Sequence, residues 1–292
     1  MRRRRMVTSA AAGLLGLVAG TRAGAGPAAA DDHRADNSGM VCDPARGGDR
    51  PAAPRWDAVR LVNLAHVNDP ATTTLFPGDP EFRLTTMTTV ENDGFYMQYV
   101  EEGEHTGTHW GAPCHFDADG LCADELEPND LFLPAVKIDI RRKAAADPDY
   151  GVTVDDLRGW ERRHGPIPAG AAVILWTGWE SRWGTPAYAN TDADGVIHQP
   201  GFTIEAAQWL VDGGKLGRRG ALGTDTFGPD RGVDSSYAVS VLLYREHRIS
   251  LENLANLRQL PARGAWVLAG GPINRRGSGS TATIFGFIPP AP

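Results

Sequence analysis

Positive charge, long apolar runs and cysteine are all scarce in this sequence, and each shortage closes off a class of function. The 292 residues carry 29 Lys and Arg against 36 Asp and Glu, a formal net charge of −7. Residues 1–30 hold five of the arginines and no acid, so loss of that segment takes the charge to −12. So acidic a surface argues against nucleic acid or an anionic membrane as partner. The apolar run near the N-terminus, "MVTSAAAGLLGLVAG", is too short and too rich in Gly and Ala to make a good membrane span. The chain has no internal repeats and no low-complexity domain. "GSGSTATIF" (277–285) is glycine-rich but lacks the lysine and the strand–loop–helix setting of a phosphate loop, so it carries no nucleotide role. The three cysteines are Cys42, Cys114 and Cys122, and an odd count leaves at least one thiol unpaired. Cys114 and Cys122 would close a short loop; free buried thiols are the equal alternative.

What is present starts with a leader. "MRRRR" supplies a basic start, the apolar run follows, and "GPAAA" ends in small residues, so residues 1–30 read as a signal peptide cleaved after Ala30. The arginine cluster points to twin-arginine export, with a Sec signal as the alternative. A secreted or extracytoplasmic protein is the expectation. Residues 31–57 read as a flexible tail rich in Asp, Arg, Pro and Gly, and 58–292 as one catalytic domain. With 41% hydrophobic residues, that length is ample for a single core.

Strands are expected at 59–69, 82–92, 95–102, "AVKIDI" (135–140), 220–226, 248–254 and 265–273. "AAVILWTG" (171–178) reads as a strand buried on both faces. "TVDDLRGWERRHG" (153–165) reads as a helix with Thr153 as N-cap and Asp156 three residues on. Further helices are expected at 203–214, stopped by glycine, and 238–247. Strands outnumber helices, and clean strand–helix alternation is missing. The fold class is therefore α/β, one domain with a mixed sheet rather than a doubly wound one.

"EHTGTHWGAPCHF" (104–116) places three of the chain's eight histidines within eleven residues. In an extended chain His105, His109 and His115 share one face. A four-residue extended step spans roughly 13 Å, so two imidazoles meet over one ion only if the chain bends. Gly107 permits the bend, and Pro113 directs the approach of His115. Imidazoles gathered this way suit a divalent metal such as zinc, manganese or iron.

The stretch resembles the H-x-G-T-H-x-D-x-P-x-H signature of the cyclase / kynurenine formamidase family. "LVNLAHVNDPATTTLFPGDPEF", "DLFLPAVKIDIR", "VILWTGW", "GFTIEAAQWL", "LGTDT" and "LENLANL" follow in that family's order, so the resemblance spans about residues 59–275. It implies a swivelling domain around a barrel-like mixed sheet, flanked by helices, in a homo-dimer or homo-tetramer. It also implies His105, His109 and Glu252 as ligands of one divalent metal, zinc first and manganese second, with His115 as the catalytic proton shuttle. Two positions depart: Gly111 stands where the family has aspartate, and Ser240 where it has a later histidine. The set that is left, two histidines and a carboxylate, suits catalytic zinc. His66, Asp225 and Cys114 stand as substitute ligands.

The implied chemistry is hydrolysis of an amide, formamide or lactam, with the Thr108 hydroxyl assisting at the oxyanion. Phe76, Trp110 and Phe116 are the candidate contacts for a small aromatic or cyclic substrate. Trp176, Trp179 and Trp183 read as packing ahead of an aromatic pocket lining, Asp225 as a turn pin ahead of a chemical role, and His33, His164, His198 and His247 as solvated or structural. Two other readings stand beside the hydrolase: a cyclase of polyketide-like or other secondary metabolites with little need of metal, and a non-catalytic ligand-binding relative.

Overall fold

The computed structural model describes residues 58–290. The expected leader, tail and cleavage site, with His33 and Cys42, lie outside the described residues. In chain order the elements begin with β1 (Arg60–Asn63), β2 (Arg83–Thr88), α1 (Val90–Asp93), β3 (Met97–Glu101) and β4 (His109–Gly111). Next come β5 (Phe132–Asp139), α2 (Arg141–Ala146), β6 (Gly151–Val152), α3 (Val154–His164), β7 (Ala172–Trp176) and α4 (Pro186–Ala189). Then follow β8 (Gly201–Phe202), α5 (Ile204–Asp212), β9 (Arg219–Thr224), α6 (Ala238–Leu243), β10 (His247–Glu252), β11 (Ala265–Ala269), β12 (Gly279–Thr281) and β13 (Ile284–Ile288).

Nine strands form one mixed sheet in the order β1-β13-β11-β5-β7-β9-β10-β4-β12. It is curled into a half-barrel and flanked by helices, the single mixed α/β domain expected. The centre, β5-β7-β9-β10, is parallel; the flanks are antiparallel. Parallel strands are buried on both faces, and β7 shows why its sequence is an unbroken apolar run. Ala172, Ile174 and Trp176 join the core cluster on one face, and Val173 and Leu175 the cluster on the other. Each fully buried Leu or Ile in these layers contributes about 1.5–3 kcal/mol. α3, α5 and α6 close the second face with Leu157, Trp160, Leu210, Leu242 and Leu243. α3 opens on the expected capping box, Thr153 with Asp156, and α5 is capped by Thr203.

Several boundaries moved. β1 stops at Asn63, the last of its residues in register with β13. β13 itself was not anticipated, since "IFGFI" shows no alternation of apolar and polar residues. β2 stops at Thr88, whose successor Thr89 caps the short α1. β10 ends at Glu252 because Asn253 turns to a left-handed φ of 53°. Asp225 pins the turn after β7, accepting from Thr177 and Glu180 backbone N–H groups. Among the described residues no helix is long and apolar enough to cross a membrane.

Candidate active site

The histidine segment does bend where expected. Gly107 adopts φ +64°, and a Cβ there would also lie 2.1 Å from Asn68 Oδ1. Residues 104–108 form turns, after which the chain enters β4 at His109. β4 pairs antiparallel with β10, and the register sets His109 directly opposite Glu252. Directly opposed residues project on the same face, so strand pairing alone joins two side chains 143 positions apart in the chain. His109 Nε2 lies 3.1 Å from Glu252 Oε2, with side chains 4% and 13% exposed.

His109 Nδ1 makes a 2.9 Å hydrogen bond to the Gly107 carbonyl. A carbonyl only accepts, so Nδ1 carries the proton, and in the neutral ring Nε2 is a bare lone pair. That lone pair faces the Glu252 carboxylate, and among the described residues Nε2 has no hydrogen-bond partner of good geometry. Two electron-rich atoms this close and this buried need a proton or a cation between them. Burial opposes charge on both groups. The attraction between them nonetheless holds His109 above its ordinary pKa and Glu252 below its own.

His105 and His115 complete the cluster. The His105 ring meets His109 edge to face at 4.9 Å and stacks on His115 at 4.1 Å. Its Nε2, however, is 2.9 Å from Ser278 Oγ. Burial, together with its charged neighbours, takes the His105 pKa down to about 3. His115 ends a one-turn helix, Pro113–His115, and its backbone N–H donates to the Ala112 carbonyl. Burial also pulls its pKa below 6.5. The neighbouring Cys114 forms a disulfide with Cys122, the pairing the sequence left open.

The structure also corrects two site expectations. Trp110 is 0% exposed and belongs to the core cluster, because along β4 it points opposite to His109. The Thr108 hydroxyl donates to the Asn253 carbonyl at 2.6 Å and accepts from His66 N–H, so its proton is not free for an oxyanion. Phe116 is 37% exposed and packs edge-on to His115 at 4.8 Å. Phe76 meets Phe227 edge-on, and its carbonyl accepts from Asp79 N–H.

At the two departing positions other residues fill the space. A Cβ on Gly111 would lie 2.1 Å from the Tyr244 hydroxyl and 2.8 Å from Ser250 Oγ. Tyr244 donates to Ser250 at 2.7 Å and stacks on Phe116 at 5.7 Å. The Ser240 hydroxyl donates to Asp230, which fastens the start of α6. Asp79, from the Pro-Gly-Asp loop, was also missed. Burial raises its pKa, and His109, Glu252 and His115 all act on its charge. Its motif was visible in the sequence, but nothing local said that the loop folds over the histidines.

The donor chemistry fits a single divalent cation at His109 and Glu252, and the unpartnered His109 Nε2 is the observation that says so. With its Nε2 engaged by Ser278, His105 would join them through Nδ1. Among the described residues, no three His, Cys, Asp or Glu side chains already converge as a ready metal-holding group. Of the substitute ligands, Asp225 pins a turn and Cys114 is in the disulfide, while His66 stacks on Trp183 with its own buried Nε2 lacking a hydrogen-bond partner among the described residues.

The family model described as "Putative cyclase" matches residues 62–231. An isatin hydrolase of Roseibium aggregatum is 34% identical over 248 residues, covering 80% of this chain and 93% of its own. An isatin hydrolase bound to the product analogue thioisatinate superposes with a TM-score of 0.73 at 31% identity, over 80% of this chain and 94% of its own. Isatin hydrolase A from Ralstonia solanacearum gives 0.72 at 34% identity, over 80% and 93%. A potential metal-dependent hydrolase with cyclase activity shares the fold at 20% identity, with a TM-score of 0.60 over 80% and 100%. On the matched model and the extent of these identities, the chain belongs to the cyclase family.

Proposed function

We propose that this protein is a hydrolase that opens a carbon–nitrogen bond of a small cyclic or aromatic acyl compound, with an isatin-type lactam first and an N-formyl arylamine second. The observation that carries the reading is the buried His109–Glu252 pair, its Nε2 unpartnered, beside the stacked His105 and His115. The similarity to isatin hydrolases supports the lactam over the formamide.

A divalent cation, zinc or manganese, held by His109, Glu252 and His105, would polarise the carbonyl and acidify a water. The chain's own groups account for the proton. Water oxygen adds to the carbonyl carbon, the C–N bond breaks, and one proton travels from water to the departing nitrogen. His115 suits that transfer: it lies against His105 and is neutral at pH 7, so it accepts a proton and then returns it. Phe116 and Phe76 offer apolar faces for a flat ring.

With His115 lowered, its base form persists below pH 6.5. The acidic limb of the kcat/KM profile should therefore be centred below pH 6.5. A limb centred above 6.5 would remove His115 as the base.

The assay is ring opening of isatin, followed by absorbance, with N-formyl arylamines alongside, before and after chelation and with zinc or manganese returned. Turnover of the lactam that is lost on chelation and restored by metal is the expected result. A chelator-resistant activity would favour the cyclase reading, to which the glycine and serine at positions 111 and 240 lend support. No turnover on either substrate class, with either metal, would sink the hydrolase.

Export is part of the same reading. It is supported by the basic-apolar-small pattern of residues 1–30 and by the Cys114–Cys122 bond, which persists best outside the cytosol. So is a homo-oligomer: β2, β3 and the segment between them expose Met87, Phe95, Tyr96, Met97, Tyr99 and Val100, apolar surface suited to a second copy.

A further inference from the structure

We propose that Ser278, held by Glu104, is a positioning residue that fixes the tautomer of His105. The segment "GSGS" (277–280), which has no nucleotide role, is on this reading a clasp around the first histidine of the motif.

β12 pairs with β4, bringing the chain before it past the histidines. The Ser278 carbonyl accepts from Ala112 N–H at 2.8 Å, and the Gly277 carbonyl from Ala123 N–H at 2.8 Å. These bonds lay residues 277–278 along the histidine segment. Both flanking glycines are required by close approach. A Cβ on Gly277 would lie 2.7 Å from Glu104 Oε1, and one on Gly279 would lie 2.5 Å from the Trp110 carbonyl and 2.8 Å from His105 Cε1. Serine between two glycines therefore reaches two partners that no bulkier neighbours would admit.

Those partners determine which way the hydroxyl points. Glu104 Oε2 accepts from Ser278 N–H at 2.8 Å and lies 3.0 Å from Ser278 Oγ. A carboxylate has no proton to give, so the Ser278 hydroxyl donates to it. The oxygen is then left to accept, and its other neighbour is His105 Nε2 at 2.9 Å. His105 must therefore carry its proton on Nε2, leaving Nδ1 as the bare nitrogen. His109 is held the opposite way, with Nδ1–H given to the Gly107 carbonyl, which also accepts from Asn253 Nδ2 at 2.8 Å. Hydrogen bonds from outside the cluster thus fix a proton on Nε2 of His105 and on Nδ1 of His109. Such bonds orient a ligand ring and raise its basicity.

The inference rests on the proposed cation site only for its functional consequence, because the tautomer itself exists without metal. The test is long-range proton–nitrogen NMR on metal-free, nitrogen-15 histidine-labelled protein, followed by zinc titration. Wild type should show His105 protonated at Nε2. Ser278→Ala and, independently, Glu104→Ala should shift it toward a mixture or toward Nδ1–H. The alanine at 278 should also weaken zinc binding about 10- to 100-fold. Ser278→Thr, which keeps the hydroxyl, should restore both. The proposal is overturned by an Nδ1–H tautomer in wild type, by an unchanged His105 spectrum in both alanine variants, or by unchanged zinc affinity alongside a shifted tautomer. If wild type holds the Nε2–H tautomer, both alanine variants lose it, and no form binds metal, the clasp stands and the cation site fails.

Discussion

His109→Ala abolishes turnover and cation uptake together, and makes the fold depend on pH in a new way. The loss in kcat/KM is expected to exceed about 10³-fold, the scale of removing a central acid–base or electrostatic group. Stability falls as well. Glu252, only 13% exposed, loses the group that holds its charge. An orphaned buried charge of this kind costs about 3–5 kcal/mol. The sign with pH follows from the burial that already works against the Glu252 carboxylate. Without His109 its pKa rises above the unfolded value, so the folded variant binds a proton more readily than the unfolded chain. The deficit is therefore largest at pH 8 and shrinks as pH falls toward 5. Urea unfolding across that range, beside metal analysis of the purified variant, checks both halves. A variant that keeps wild-type turnover would end the proposed mechanism.

Gly111→Asp writes the family residue back into the motif, and it should harm the protein rather than endow it with a second metal. The new Cβ would lie 2.1 Å from the Tyr244 hydroxyl and 2.8 Å from Ser250 Oγ, in space that is already filled. Overpacking of a core costs about 1–3 kcal/mol, and an unpaired buried carboxylate adds to it. A Tm lower by about 6–12 °C corresponds to about 3 kcal/mol in a chain of this size. The clash has one principal cause, so the harm should depend on Tyr244. In a double-mutant cycle with Tyr244→Ala, the two substitutions should couple favourably by about 1–3 kcal/mol. Metal content per chain should not rise in the single variant. A Gly111→Asp protein with wild-type Tm, or with an additional bound cation, would show that Tyr244 does not own that position.

Tyr244 also explains how the motif departs from its family pattern without leaving a hole. The phenol stacks on Phe116 and donates to Ser250, which in turn accepts from Gly111 N–H at 3.1 Å. Ser250 precedes Glu252 by two residues on β10 and so shares its face, and its hydroxyl helps keep the Glu252 pKa low. The aspartate of the family pattern has been replaced here by a polar and aromatic prop, and the glycine is what lets the prop in.

How much of this was legible varies with the range of the interaction. The capped helix at 154–164 and the two-faced strand at 172–176 were readable because caps and apolar periodicity are local. The bend at Gly107 was readable for the same reason: a residue without a Cβ, between two histidines that must converge, has a short list of purposes. Trp110 was misread because it adjoins the histidines in sequence, and adjacency along a strand means opposite faces. Thr108 was misread because its hydroxyl is claimed by a carbonyl 145 residues away.

By itself, then, the sequence determined the local devices: the histidine triplet, its glycine bend, the helix caps and the apolar strands. These depend on backbone angles and on side chains a few positions apart. Only the tertiary structure decided which groups the triplet meets. Glu252 faces His109 through strand register, Ser278 reaches His105 through a loop threaded between two glycines, and Tyr244 fills the room above Gly111. Each of those encounters joins segments more than a hundred residues apart. The sheet's pairing and the volume of the core set them, and of the three partners only Glu252 was named beforehand, through the resemblance carried by "LENLANL".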